Sequence, residues 1–89
     1  MPERTVLLPN PSGLHARPAK TFAKAAARSI AEVTVAKDGR EVNAKSVLSV
    51  LTLDCHQGDE IVIRVEGAEA DATLAELVAL VESGMGEGP

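Results

Sequence analysis

The chain has 89 residues, room for one small domain with one core, and 45% of them are apolar with Phe22 as the single aromatic, so the core must be thin layers of Val, Leu, Ile and Ala. A formal net charge of −4 without any Lys/Arg-dense segment argues against nucleic acid as a partner, and no apolar run approaches the length of a membrane span. One cysteine, Cys55, excludes an internal disulfide and fits a reducing cytoplasm.

The opening MPERTVLL has no apolar segment behind a basic start, so no signal peptide is expected. Within it, Glu3–Leu8 reads as a strand closed by Pro9, and PNPSG is turn-forming throughout. From Ala16 the period changes. Ala19, Phe22, Ala23, Ala26 and Ile30 recur at helical spacing, and Pro18 fits only a first helical turn, so a helix is predicted from about Ala16 with His15 just before it. Glu32–Lys37 alternates as a half-buried strand, Asp38-Gly39 is a strong hairpin signal, and Arg40–Ala44 is the return strand. Lys45–Leu53 mixes β-branched content with the helical spacing of Val47, Val50 and Leu51; a short helix with Ser46 as N-cap is preferred.

His56–Glu60 is a predicted turn and Glu60–Glu66 a strand with Ile61, Ile63 and Val65 inward. Leu74, Leu77, Val78 and Val81 mark a last helix stopped by Gly84, and residues 84–89 are expected to form a loose tail on a single domain spanning 1–89. The order β-α-β-β-α-β-α predicts an α+β open-faced β-sandwich: a four-stranded antiparallel sheet with three helices on one face. The helical crossover leaves room for the last strand to insert beside the first, as in split, ferredoxin-like arrangements.

SGLHARPAK, Ser12–Lys20, places a histidine where a helix begins. A helix N-terminus carries unpaired N–H groups and about half a positive charge, so it attracts anions. Ala16 and Arg17 offer N–H groups there, Arg17 adds a guanidinium suited to phosphate oxygens, and Gly13 permits a sharp bend. That positive charge should keep the His15 imidazole neutral and nucleophilic and stabilise an arriving phosphoryl group. Ser12–Lys20 holds no Asp or Glu that could activate water, which favours passing a phosphate on over hydrolysing it, unless a distant residue folds nearby. A polar cap or surface residue fits the same histidine on helix physics alone.

GLHARPAK, together with NAKSVLSVLTL and the element order, resembles HPr, the histidine-containing phosphocarrier family of the bacterial phosphoenolpyruvate:sugar phosphotransferase system, over about Glu3–Ser83. The resemblance implies the same open-faced β-sandwich. It makes His15 a phosphoryl acceptor through Nδ1 and Arg17 its electrostatic partner, with enzyme I as donor and sugar-specific IIA components as acceptors. It implies a cytoplasmic phosphocarrier in sugar transport, a phosphoprotein carrying phosphohistidine, that is a substrate of enzymes and not itself an enzyme. It also implies an ATP-dependent serine kinase acting on Ser46 and a transcription regulator reading that form, although a plain N-cap is the commoner role for a serine at such a place, and both roles can hold at once. No GxxxxGK[ST] loop is present, so self-phosphorylation from ATP is not expected, nor is a cofactor.

Arg17, Lys20, Lys24 and Arg28 form a basic stripe on the first helix, opposite its apolar one. It reads as a docking face for acidic partners, with Lys45 at its edge and Val47, Leu48 and Leu51 as an apolar centre; a solvated helix face is the alternative. Asp54–Gln57, DCHQ, departs from the small or apolar residues expected of the family here. Cys55 and His56, being adjacent, do not easily complete a tetrahedral site, so no metal is expected. Three other roles stay open: a regulatory paralogue in a nitrogen-type or dihydroxyacetone-kinase phosphorelay, a binding module that never carries phosphate, and an ion-binding protein using Cys55 and His56, which would require metal in the purified protein.

Overall fold

Asp38 and Gly39 both take positive φ, 51° and 83°, the twist that a two-residue hairpin needs. In the computed structural model, which describes residues 2–85, that hairpin joins β2 (Glu32–Lys37) to β3 (Arg40–Asn43). With β1 (Glu3–Leu7) and β4 (Glu60–Glu66) they form one antiparallel sheet of order β1-β4-β2-β3, so the last strand is inserted beside the first. The register sets Val6 against Ile61, Val33 against Val65 and Val35 against Ile63, and all six side chains are buried on the covered face. Residues between them carry the opposite, polar face, where Arg64 donates from Nε to Glu3 Oε1 at 2.9 Å and pairs through Nη1 with Glu41 Oε2 at 3.1 Å.

Three helices cover the apolar face: α1 (Ala16–Ala27), α2 (Val47–Leu51) and α3 (Ala70–Glu82). From α1, Pro18, Ala19, Phe22, Ala23 and Ala26 are buried, the alanines letting the helix approach closely while Phe22 fills the centre. Ile30, the last member of the predicted stripe, is instead 78% exposed. The N–H groups of Arg28 and Ser29 turn to the Ala25 and Ala26 carbonyls at 3.3 and 3.1 Å, which tightens the last turn and takes the chain off the helical period before Ile30. Leu8 and Ala44, expected inside strands, lie one residue beyond them but are buried.

Gly84 and Met85 are not loose. Met85 N donates to Leu80 O at 3.1 Å and Gly84 N to Val81 O at 3.0 Å, the paired bonds of a left-handed helix end, and Met85 is buried. The rest of the expected tail, 86–89, lies outside the described residues.

Ser46 caps α2, its hydroxyl oxygen accepting from Ser49 N at 3.2 Å. Ser46→Ala should therefore cost about 1 kcal/mol, read as a lower urea midpoint at unchanged slope. A midpoint equal to that of the unsubstituted protein would mean that the cap contributes nothing.

Candidate functional site

Two loops meet at one end of the sheet because β4 returns beside β1: Leu7 pairs with Glu60, so the chain leaving β1 and the chain entering β4 emerge together. Backbone bonds fasten them, Leu8 N to Asp59 O at 3.0 Å, Gly58 N to Leu8 O at 2.8 Å and Leu14 N to Cys55 O at 3.1 Å. The β2–β3 hairpin holds the second loop from the other side. Lys37 Nζ donates to Asp54 O at 2.8 Å and pairs with Asp59 Oδ2 at 3.0 Å, and Arg40 Nη1 donates to Thr52 O at 2.9 Å. Asp54 sits at φ 52°, a left-handed position that Asp tolerates better than most residues.

His15 is the N-cap of α1, at φ −119° and ψ 155°, and its side chain makes no capping bond to the helix. Its ring lies between two acceptors: Nδ1 is 3.1 Å from Ser12 O and Nε2 is 2.9 Å from Asp54 Oδ1. His56 joins them, its Nε2 3.5 Å from the same Asp54 oxygen and its ring centroid 5.0 Å from that of His15. The hydrogen bond from His15 holds the Asp54 carboxyl below the usual carboxylate range, with His56 adding to the effect. Asp59 is likewise held low, first by the N–H of His56 at 2.8 Å and then by Lys37. Burial pushes the Cys55 thiol up to about 11 and keeps it inside the core.

Asp54 amends the sequence reading. The expectation of no carboxylate at His15 holds for Ser12–Lys20 but not in space, where a residue 39 positions away supplies one. The carboxylate faces Nε2, however, and a group carried on Nδ1 would lie at the opposite edge of the ring. The expected surplus of positive charge is also partly offset, since Asp54 stands at the imidazole while the Arg17 side chain is exposed and makes no hydrogen bond or ion pair among the described residues. Ala16 opens the helix at φ 49°, a left-handed conformation that costs a non-glycine residue about 1–2 kcal/mol. The expectation of no metal rests on Cys55 and His56 alone, and in space a different set of side chains gathers. Cys55 is out of reach, but His15, Asp54 and His56 bring three ligand atoms within 4.8 Å of one another.

Lys20, Lys24 and Arg28 are exposed along α1, as is Arg17. The apolar residues expected beside them are Leu48, 77% exposed, with Val47 and Leu51 half-buried. Lys45 is tied to the end of the α1 segment, donating from Nζ to Ser29 O at 2.7 Å.

Residues 2–83 match the family model described as the PTS HPr component phosphorylation site. Among curated proteins, the phosphocarrier protein HPr of Streptomyces coelicolor is 46% identical over all of this chain and 97% of its own length. The HPr-like protein Crh of Halalkalibacterium halodurans is 35% identical over 92% of this chain and 98% of its own. The crystal structure of HPr-C-His from Thermoanaerobacter tengcongensis superposes with a TM-score of 0.96 at 37% identity, covering all of both chains. No helix among the described residues is long and apolar enough to cross a membrane.

Proposed function

This chain belongs to the HPr family of phosphotransferase-system phosphocarriers, and from that premise we propose that His15 accepts a phosphoryl group on Nδ1 from phosphorylated enzyme I and passes it to IIA components in sugar uptake. The carrying observation is an imidazole at a helix N-terminus whose Nε2 is engaged by Asp54, which leaves Nδ1 as the nitrogen to react. Nδ1 rests 3.1 Å from the Ser12 carbonyl, so the ring turns away from that oxygen as the phosphoryl group arrives. The first-turn N–H groups of Ala16 and Arg17 and the free Arg17 guanidinium receive the phosphate oxygens. Residues 1–89 act as one cytoplasmic carrier domain, covalently loaded and unloaded by enzymes and without turnover of its own. Incubation with enzyme I and phosphoenolpyruvate should give an acid-labile phosphorus NMR signal of phosphohistidine; no signal with active enzyme I defeats the reading.

The basic stripe on α1 and the Leu48 patch serve as the docking face for acidic partners. Reversing charge with Lys24→Glu and Arg28→Glu together should slow phosphoryl transfer from enzyme I about tenfold at low ionic strength, with the gap closing as salt rises. Equal rates at low salt would reduce the stripe to a solvated helix face.

A regulatory role is favoured by the similarity to the HPr-like protein Crh. In that role a serine kinase phosphorylates Ser46, and a transcription regulator reads the added charge of about −1.5 to −2 beside the docking face. Mass spectrometry after incubation with such a kinase and ATP decides this: an unmodified Ser46 removes it.

A further inference from the structure

We propose that His15, Asp54 and His56 form a binding site for a borderline divalent transition ion such as Zn2+, with His15 Nε2, an Asp54 carboxylate oxygen and His56 Nε2 as its ligands. The two nitrogens lie 2.9 and 3.5 Å from one Asp54 oxygen. Tetrahedral zinc with bonds near 2.0–2.1 Å sets neighbouring ligand atoms about 3.4 Å apart, so small side-chain rotations suffice. Two imidazoles and one carboxylate suit zinc and its neighbours in the transition series better than magnesium or calcium, which prefer all-oxygen shells.

The surroundings of the two rings are an independent second observation. A metal-bound histidine usually donates its other ring N–H to a carbonyl or carboxylate, which fixes the tautomer and aims the lone pair. Here His15 turns Nδ1 to the Ser12 carbonyl at 3.1 Å, and His56 turns Nδ1 toward Asp59 Oδ2 at 3.7 Å. Both rings thus face outer acceptors with Nδ1 and converge on Asp54 with Nε2. Lys37 offsets the charge of Asp59, which leaves the Asp54 carboxylate as the anion facing the ion. Asp54 and His56 are well exposed, so a solvent molecule can complete the shell. The second loop is held at both flanks by Lys37 and Arg40, so the ligands are positioned before an ion arrives.

The ion and the phosphoryl group would compete. Zinc takes the Nε2 position that the proton facing Asp54 otherwise holds; the proton of the neutral ring then sits on Nδ1, bonded to the Ser12 carbonyl, and blocks the nitrogen that the carrier reading assigns to phosphate. Only this consequence rests on that reading.

The test is isothermal titration of the full chain with zinc chloride. It should show one ion per chain, with Asp54→Asn and His56→Gln each weakening affinity about tenfold or more and Cys55→Ala leaving it unchanged. Histidine Cε1–H NMR signals of the unsubstituted protein should shift for both His15 and His56 on zinc addition, a readout that needs no variant. Absence of binding, binding indifferent to Asp54→Asn and His56→Gln, or loss on Cys55→Ala overturns the site. In the enzyme I assay, half-inhibiting zinc should be about tenfold higher for His56→Gln than for the unsubstituted protein; the same value for both places the inhibition elsewhere. Calorimetry uses no enzyme I, so failure of the metal site and failure of the carrier reading are separately visible.

Discussion

His15→Ala should abolish phosphoryl acceptance: no acid-labile phosphorus signal and no label from phosphoenolpyruvate through enzyme I. The variant should still fold, because the His15 side chain caps nothing and is about one-third exposed. Acceptance depends on which ring nitrogen is free. Acceptance requires an Nδ1 lone pair to form the N–P bond while the phosphorus–donor bond breaks. A ring bonded at both Ser12 O and Asp54 Oδ1 carries two protons, and a neutral one can donate to only one of them. An ionised carboxylate is the stronger acceptor, so the proton that stays is on Nε2 and the one that leaves uncovers Nδ1. Its lone pair then faces the Ser12 oxygen, an unfavourable contact that turns the ring toward the helix N-terminus. Asp54→Asn removes that preference and should slow acceptance about tenfold while leaving the phosphorylated nitrogen the same. Equal label on His15→Ala and the unsubstituted protein would move the acceptor to another residue. An unaltered rate in Asp54→Asn would reduce the 2.9 Å contact to a surface pairing.

How much of this could be read from residue order follows from the range of each interaction. Val33 and Val35, Ile61 with Ile63 and Val65, and Asp38-Gly39 carry their strands and hairpin locally, so the sheet and its inserted last strand were legible. Ser46 likewise declared its helix through a bond to Ser49, three residues on. Ile30 misled because the period persists one step beyond the point where the backbone leaves it. The contact of Asp54 and His56 with His15 has no local signature, since it spans about forty positions and depends on two loops sharing one sheet end. A signal was nonetheless present. A last strand antiparallel to the first puts the loop after β1 beside the loop before β4, and DCHQ occupies that loop.

Gly13→Ala should be the most damaging single-methyl change at this end of the molecule, because Gly13 is where the two loops touch. Its φ of 57° is left-handed, and a Cβ there would stand 2.4 Å from Cys55 O and 2.7 Å from His56 Cα. Both obstacles are backbone, so relief requires moving the loop that carries Asp54 and His56, at the expense of the Leu14 N–H bond to Cys55 O. About 1 kcal/mol for alanine at positive φ and about 1–3 kcal/mol for the forced displacement give a loss of about 2–4 kcal/mol. For a domain of this size the thermal midpoint falls by about 10–20 °C, followed by circular dichroism. Gly39→Ala separates the two terms: φ is again positive, at 83°, but no atom lies within 4 Å of the added methyl. It should therefore show only the backbone term of about 1 kcal/mol. Equal losses at the two glycines would show that the close approach at Gly13 contributes nothing. A much larger loss at Gly13 makes the seam between the loops, through which His15 meets Asp54 and His56, a fixed part of the fold.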